Sequence, residues 1–379
     1  MTKRAFRADH CGSFIRPEKL RKARVDRLHD RIDDAALAEI EDQAILDALE
    51  MQRQVGINVF TDGEYRRISW SGALGEAVEG LVDDPDAVAT TQWQGPHREQ
   101  ATATSDAMSY AHQVVGAKLR QVRRLTAHES GFLKQHAPGP FKVTMPGVMT
   151  RVVNWYKPGL TDKFYPTRAD LVQEFVAMLQ REVQALLDEG VSYIQLDSLR
   201  YVMQLADPRR RQDLIAAGAD PYTALDETIA ADNASLQDAR RPGVTVGLHM
   251  CRGNNRSAWA AEGSYEAIAE KAFGALQVDR FLLEYDTERA GGFEPLRFVP
   301  RGKTVVLGLI SSKDPRLESQ DLLRRRIDEA AQYVPLEDLA LSPQCGFAST
   351  APGNMLTWDE QRRKLELVVE TARKVWGSL

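Results

Sequence analysis

The chain has 379 residues, 43% hydrophobic and 27% charged, with a formal net charge of −5. That composition suits a globular protein with a large core and offers no basic excess for a nucleic-acid partner. No run approaches the roughly 20 apolar residues of a membrane span, and the opening MTKRAFRADHCGSF has no apolar signal core, so the expected location is cytoplasmic. Three cysteines (Cys11, Cys251 and Cys345) are too few for a disulfide framework, and the ordinary reading of each is a buried, inert thiol.

In chain order the predicted strands are residues 8–14, 56–60, 141–145, 191–196, 244–248, 280–283, 304–309 and 339–342. Residues 16–50 read as charged helix ahead of the second strand. Residues 72–139 are long for one connection and read as an insertion with its own helices, one of them over 109–124. Beyond it the pattern repeats: a charge-rich helix, a short apolar run, then a polar or Gly-containing cluster. In 169–189, Leu171, Phe175, Met178, Leu179, Leu186 and Leu187 recur at three- and four-residue steps, and Gly190 supplies the stop. Eight strands alternating with helices predict an α/β protein, a (β/α)8 or TIM barrel. The barrel is expected to occupy 1–379 as one domain, with the 72–139 insertion between its second and third strands. No Gly-rich fingerprint follows the first strand, which leaves an open dinucleotide-binding sheet without support.

The strand ends carry unusual polar residues: His10-Cys11-Gly12-Ser13, Thr61-Asp62-Gly63-Glu64, Asp197, His249-Met250-Cys251, Glu284 with Asp286, and Cys345-Gly346. In a barrel these ends meet at one mouth. Residues two apart on a strand face the same side, so His249 and Cys251 can meet one ion. Cys345 and Glu284 then complete four ligands of types that zinc accepts, and the sulfurs select against magnesium and calcium. An isolated His-x-Cys is weak evidence; a Cys-Gly at another strand end strengthens it. Glu284 pairing with Arg252 or Arg289 is the structural alternative.

His249-Met250-Cys251, Glu284 and Cys345-Gly346 resemble the zinc site of the cobalamin-independent methionine synthases. Cys11-Gly12-Ser13-Phe14 is similar to that family's Ile-Gly-Ser-Phe, Asp62-Gly63-Glu64 to its His-Gly-Glu, and Gln195-Leu196-Asp197 to its Gln-Ile-Asp. The resemblance runs from about residue 7 to 375 and corresponds to the catalytic C-terminal barrel. It looks closest to the short, single-barrel proteins described as methionine-synthase-II-like. It implies zinc-dependent methyl transfer from a methylfolate-type donor to homocysteine, giving methionine. The implied partners are thus a small thiol and a methyl or alkyl donor, and a homo-oligomer is compatible with it. Glu64 and Asp197 would hold the amino group of homocysteine, and the backbone around Gly12 and Ser13 its carboxylate. Read structurally, Asp197 is a helix cap and Glu64 a salt-bridge partner of Arg66 or Arg67.

The chain also departs from the family. Residues 252–263 look like an extra stretch. Asp197 is followed by Ser198-Leu199-Arg200 where the family has Glu-Pro-Ala. Lys313 stands near the family's His after the seventh strand, where a proton donor to the leaving group is expected, and a Lys serves there only with a lowered pKa. Trp155 is the candidate aromatic floor for the donor, with a core Trp as the alternative. A related branch, the epoxyalkane:coenzyme M transferases, joins another thiol to another electrophile, and a sulfonate-binding cluster from Arg16, Arg252 and Arg256 would favour it. A binding protein without catalysis is the third reading. Hydrolysis is disfavoured, because water-activating zinc sites more often use three histidines, or two histidines and a glutamate.

Overall fold

The computed structural model describes residues 6–86, 91–106 and 112–379. Two antiparallel strands, β1 (Val78–Asp83) and β2 (Gln113–Gln121), form a small ribbon. Six parallel strands follow in chain order: β3 (Val143–Pro146), β4 (Tyr193–Ser198), β5 (Thr245–Met250), β6 (Arg280–Glu284), β7 (Thr304–Ile310) and β8 (Leu339–Pro343). Every residue of β3, β4, β6, β7 and β8 is buried, as expected when helices cover one face and the barrel interior the other. Their register puts Asp197 beside His249 and Glu284 beside Gly308, so the polar strand ends share one level.

The barrel closes without two regular strands where residues 8–14 and 56–60 were expected to supply them. Each contributes a single bridge, Ala8 to Leu341 and Phe60 to Phe141. Side chains take over the ladder. The Gln52 amide bonds both the N–H and the carbonyl of Thr61, at 3.0 and 2.8 Å. The Thr61 hydroxyl donates to the Gly12 carbonyl at 2.8 Å, and His10 Nε2 sits 3.0 Å from the Val59 carbonyl. Gly12 (φ +114°), Gly63 (φ +71°) and Glu64 (φ +58°) interrupt extended backbone here. Each of the three lies at the strand ends that build the mouth.

Residues 16–50 are helical as expected, within Glu18–Leu28 and Asp34–Val55. Helix Arg168–Asp188 opens on a Thr167–Asp170 capping box and buries Leu171, Phe175, Met178, Leu179, Leu186 and Leu187, the stripe seen in the sequence. The helix expected over 109–124 is corrected. Residues 113–121 are β2, and 109–111 lie outside the described residues. The ribbon is half-buried and shifts register at Gly80 (φ +107°), so neither strand alternates cleanly. Among the described residues, no helix is long and apolar enough to cross a membrane.

One buried acid makes stability depend on pH. Asp232, on helix Pro221–Ser235, accepts only the Tyr201 hydroxyl, at 2.8 Å, and burial pushes its carboxyl up to about 7. The unfolded chain loses that proton near pH 4, so stability falls as pH rises from about 4 through about 7. Asp232→Asn therefore gains on the order of 3–4 kcal/mol in urea melts at pH 8 and far less at pH 4. Equal effects at both values would show that the carboxyl stays ionised in the fold.

Candidate metal centre and cavity

The last residues of β5, β6 and β8 and the loops beyond them bring four ligand-type side chains together. Ligand atoms of His249, Cys251, Glu284 and Cys345 lie within 4.8 Å of one another, and all four residues are buried. The two sulfurs are 3.5 Å apart, close to the roughly 3.8 Å that two 2.3 Å zinc–sulfur bonds would span across a tetrahedron. The hydrogen bond from Cys251 draws the Cys345 thiol well below its ordinary range, and the same contact pushes Cys251 up.

Each side chain is aimed by a second contact. His249 Nδ1 lies 3.1 Å from the Leu282 carbonyl, which only accepts, so Nδ1 carries the hydrogen. That leaves Nε2 as a lone pair, buried and unpartnered. Glu284 takes the Arg252 N–H on Oε1 at 2.6 Å, while Oε2 has no hydrogen bond and sits 3.6 Å from Arg289. Both structural partners foreseen for Glu284 are thus present, yet one oxygen stays open. The Gly253 N–H reaches Cys251 Sγ at 3.3 Å. A buried imidazole nitrogen and a buried carboxylate oxygen without hydrogen-bond partners are costly unless something binds them. This donor set can hold a metal ion.

A cavity opens over the cluster. Cys11, Ser13, Glu64, Asp197, His249, Cys251, Cys345 and Trp155 all line it. Gly12 lies just behind Ser13; a Cβ there would come within 2.8 Å of Thr144 and 3.2 Å of Glu64. Gly346 has the same purpose, since a Cβ would collide with the Ser13 hydroxyl. Glu64 Oε1 accepts from Thr144 at 2.9 Å, and its Oε2 is free of hydrogen bonds. Burial raises the Glu64 carboxyl against the pull of Arg67, 3.9 Å away. Arg67 itself is held by Glu129 at 2.5 and 2.6 Å. Asp197 ends β4 and caps no helix; Asp207 caps the next one. Burial pushes Asp197 up to about 7. Gln195 donates to it at 2.8 Å, and the Gln195 carbonyl accepts from Lys142 at 2.8 Å.

Two expected participants stand differently. Trp155 is 2% exposed and tilts against Phe175 at 5.5 Å, so it is a core side chain with one edge in the cavity wall. Lys313 is outside that wall. Its ammonium meets the Gly253 carbonyl at 3.2 Å, the Asn254 side-chain oxygen and the Ala258 carbonyl at 3.4 Å, which uses its three hydrogens. Arg16 and Arg256 bond backbone carbonyls, and Arg252 bonds the Gly263 carbonyl and lies over the Tyr265 ring, with its Nε and Nη2 left without hydrogen bonds; none of the three lines the cavity.

Sequence reasoning missed the wall built by the two extra segments. Trp70, Trp93, Ser105 and Gln113 line the cavity. Gln94 pairs with Trp259 through two backbone hydrogen bonds, and Asn255 donates to the Ala101 carbonyl at 2.9 Å. The 72–139 and 252–263 stretches therefore form one structure over the mouth. Only contacts between them could reveal this, and neither stretch shows the other in its own pattern.

Several known proteins resemble the chain. The uncharacterized protein YxjG of Bacillus subtilis is 37% identical, with 98% of this chain and 95% of YxjG covered. A methionine synthase of Saccharolobus islandicus is 25% identical, covering 89% and 86%. A Listeria monocytogenes structure, provisionally assigned as a vitamin-B12-independent methionine synthase, superposes with a TM-score of 0.73 at 29% identity over 98% of both chains. A B12-independent methionine synthase from Shewanella, solved with selenomethionine, shares the fold with a TM-score of 0.71, at 20% identity over 98% of both chains. These neighbours agree with a TIM-barrel-like architecture. Residues 6–374 match the family described as the cobalamin-independent synthase catalytic domain, and the chain belongs to that family.

Proposed function

We propose that the protein is a zinc-dependent S-methyltransferase that converts homocysteine to methionine with a methylfolate-type donor. The observation that carries this reading is the His249–Cys251–Glu284–Cys345 cluster, with an Nε2 and an Oε2 that make no hydrogen bond, at the floor of a cavity also lined by Glu64 and Asp197. The family supports it, as does the methionine synthase name of the Saccharolobus relative. Zinc, when bound, holds a substrate thiol as its nucleophilic thiolate.

The chain's own residues do the rest. Asp197 and Glu64 face the cavity as two carboxyl groups, suited to an α-ammonium group. Gly12 permits the close backbone at Ser13 that receives the α-carboxylate. Trp155, with Trp70 and Trp93, presents aromatic surface to the donor. Burial lowers the Lys313 pKa, as a proton donor there needs, but its amine turns to the 253–258 carbonyls and it lies outside the cavity wall, so we read it as ordering the site. We also take residues 1–379 as one catalytic barrel carrying the 72–139 insertion, working in the cytoplasm. The epoxyalkane:coenzyme M reading is less favoured, because none of Arg16, Arg252 and Arg256 lines the cavity.

The test is mass-spectrometric detection of methionine from homocysteine and methyltetrahydrofolate mono- and triglutamates, without cobalamin. Methionine should form and cease on chelation. No methionine, with alkylation of another thiol, would move the assignment to the other branch. Asp197→Asn should raise KM for homocysteine by roughly tenfold to a hundredfold while zinc stays bound. An unchanged KM would remove Asp197 from the amino-acid site.

A further inference from the structure

Among the described residues, Arg200 is the arginine that lines the cavity. It lies three residues beyond Asp197, at the start of a single π-helical turn, Tyr201–Ala206, which also brings Gln204 to the wall. Arg200 is only 5% exposed, and its Nε is buried without a partner. Among the described residues its side chain makes no hydrogen bond and no ion pair. The charges it feels are Arg168 and Glu227, which are paired with each other at 3.0 Å. Burial lowers its pKa to about 10, so it remains a cation at neutral pH. Two more polar atoms of this wall, Gln204 Oε1 and Thr150 Oγ1, are also buried and unpartnered.

A buried, unpaired guanidinium costs stability, and an apolar side chain of similar length would pack better there. Such a cost is retained where a ligand offsets it.

We propose that Arg200 is an oxyanion-recognition residue, so that the electrophilic co-substrate carries a carboxylate or sulfonate that meets this guanidinium inside the cavity. The planar fork suits a carboxylate, which it can take through two parallel hydrogen bonds; a sulfonate offers the same charge with tetrahedral oxygens. Gln204 and Thr150 then contribute polar contacts beside it, and Trp155 an apolar one. The proposal rests on the thiol-transfer reading for the word co-substrate, but not for the anion site.

The test is binding, so it is readable whether or not methyl transfer is found. Calorimetry on the zinc-loaded protein with homocysteine uses 2-naphthoate, naphthalene-2-sulfonate and the neutral 2-naphthamide as probes. Naphthoate should bind about tenfold or more tightly than naphthamide. The sulfonate arm then separates planar from tetrahedral anions. Arg200→Met should abolish the preference for the charged probes, and Arg200→Lys should keep part of it. Without ligand, Arg200→Met should also raise the melting temperature, whereas a structural arginine with partners would lower it. Equal affinity for charged and neutral probes in the unsubstituted protein (including no binding of either), a preference that survives Arg200→Met, or a lowered melting temperature in that variant overturns the proposal.

Discussion

Cys345→Ser, like Cys251→Ser, is expected to leave the purified chain without zinc and without thiol alkylation. The two sulfurs lie 3.5 Å apart on chain segments 94 positions apart. A serine hydroxyl is a poor replacement because it is not ionised near neutral pH and is a harder ligand. Loss of an outer-shell partner alone costs about 10–100-fold in metal affinity, so loss of a ligand should cost at least a hundredfold. The barrel should survive, since the cluster sits at its mouth, above the strand core. Metal analysis after dialysis and a circular-dichroism melt separate the two effects. Full zinc occupancy in both variants would refute the ligand assignment.

Lys142→Met should be the most destabilising single change near the site, by about 3–5 kcal/mol. Lys142 and Asp9 form a fully buried ion pair at 2.7 Å, and Tyr193 donates to the same carboxylate at 2.9 Å. Burial alone would raise the Asp9 carboxyl, but Lys142 and then Arg280 outweigh it and hold it at about 2. The pair therefore contributes stability above pH 4 that is lost as pH falls toward 2. Lys142 also donates to Gln195, which fixes that amide so that its NH2 faces Asp197. Removing it leaves Asp9 with Arg280, 3.5 Å away, as its cation and frees Gln195 to flip. Urea melts should show the loss of stability, and the surviving enzyme a raised KM for homocysteine. A variant as stable as the parent would mean that the buried pair contributes nothing.

Much of the site was legible because its chemistry is carried by spacing along strands. His249 and Cys251 are one strand-step apart, and Asp197, Glu284 and Cys345 each end an apolar run, so the alternation of a strand and the convergence of a barrel suffice. The six regular strands were legible for the same reason: they are short, apolar and bounded. Residues 8–14 and 56–60 were harder, because their backbone is satisfied by Gln52, Thr61 and His10 side chains that leave no periodic trace. The 109–124 stretch passed for a helix because the pairing of β2 with β1 shifts register between Val115 and Arg120, which breaks the alternation of a strand. The position of Lys313 near the seventh strand end was readable, but the turn of its amine toward the 253–258 carbonyls was not. Trp70 and Trp93 reach the cavity from segments whose placement depends on long-range pairing, of 68–70 with 349–351 and of Gln94 with Trp259.

The most direct test of the whole account is zinc-edge X-ray absorption on the loaded protein, with and without homocysteine. The resting spectrum should fit two sulfurs and two nitrogen or oxygen neighbours, and homocysteine should bring a further sulfur into the zinc environment. A spectrum without sulfur neighbours, or one that homocysteine leaves unchanged, would contradict it.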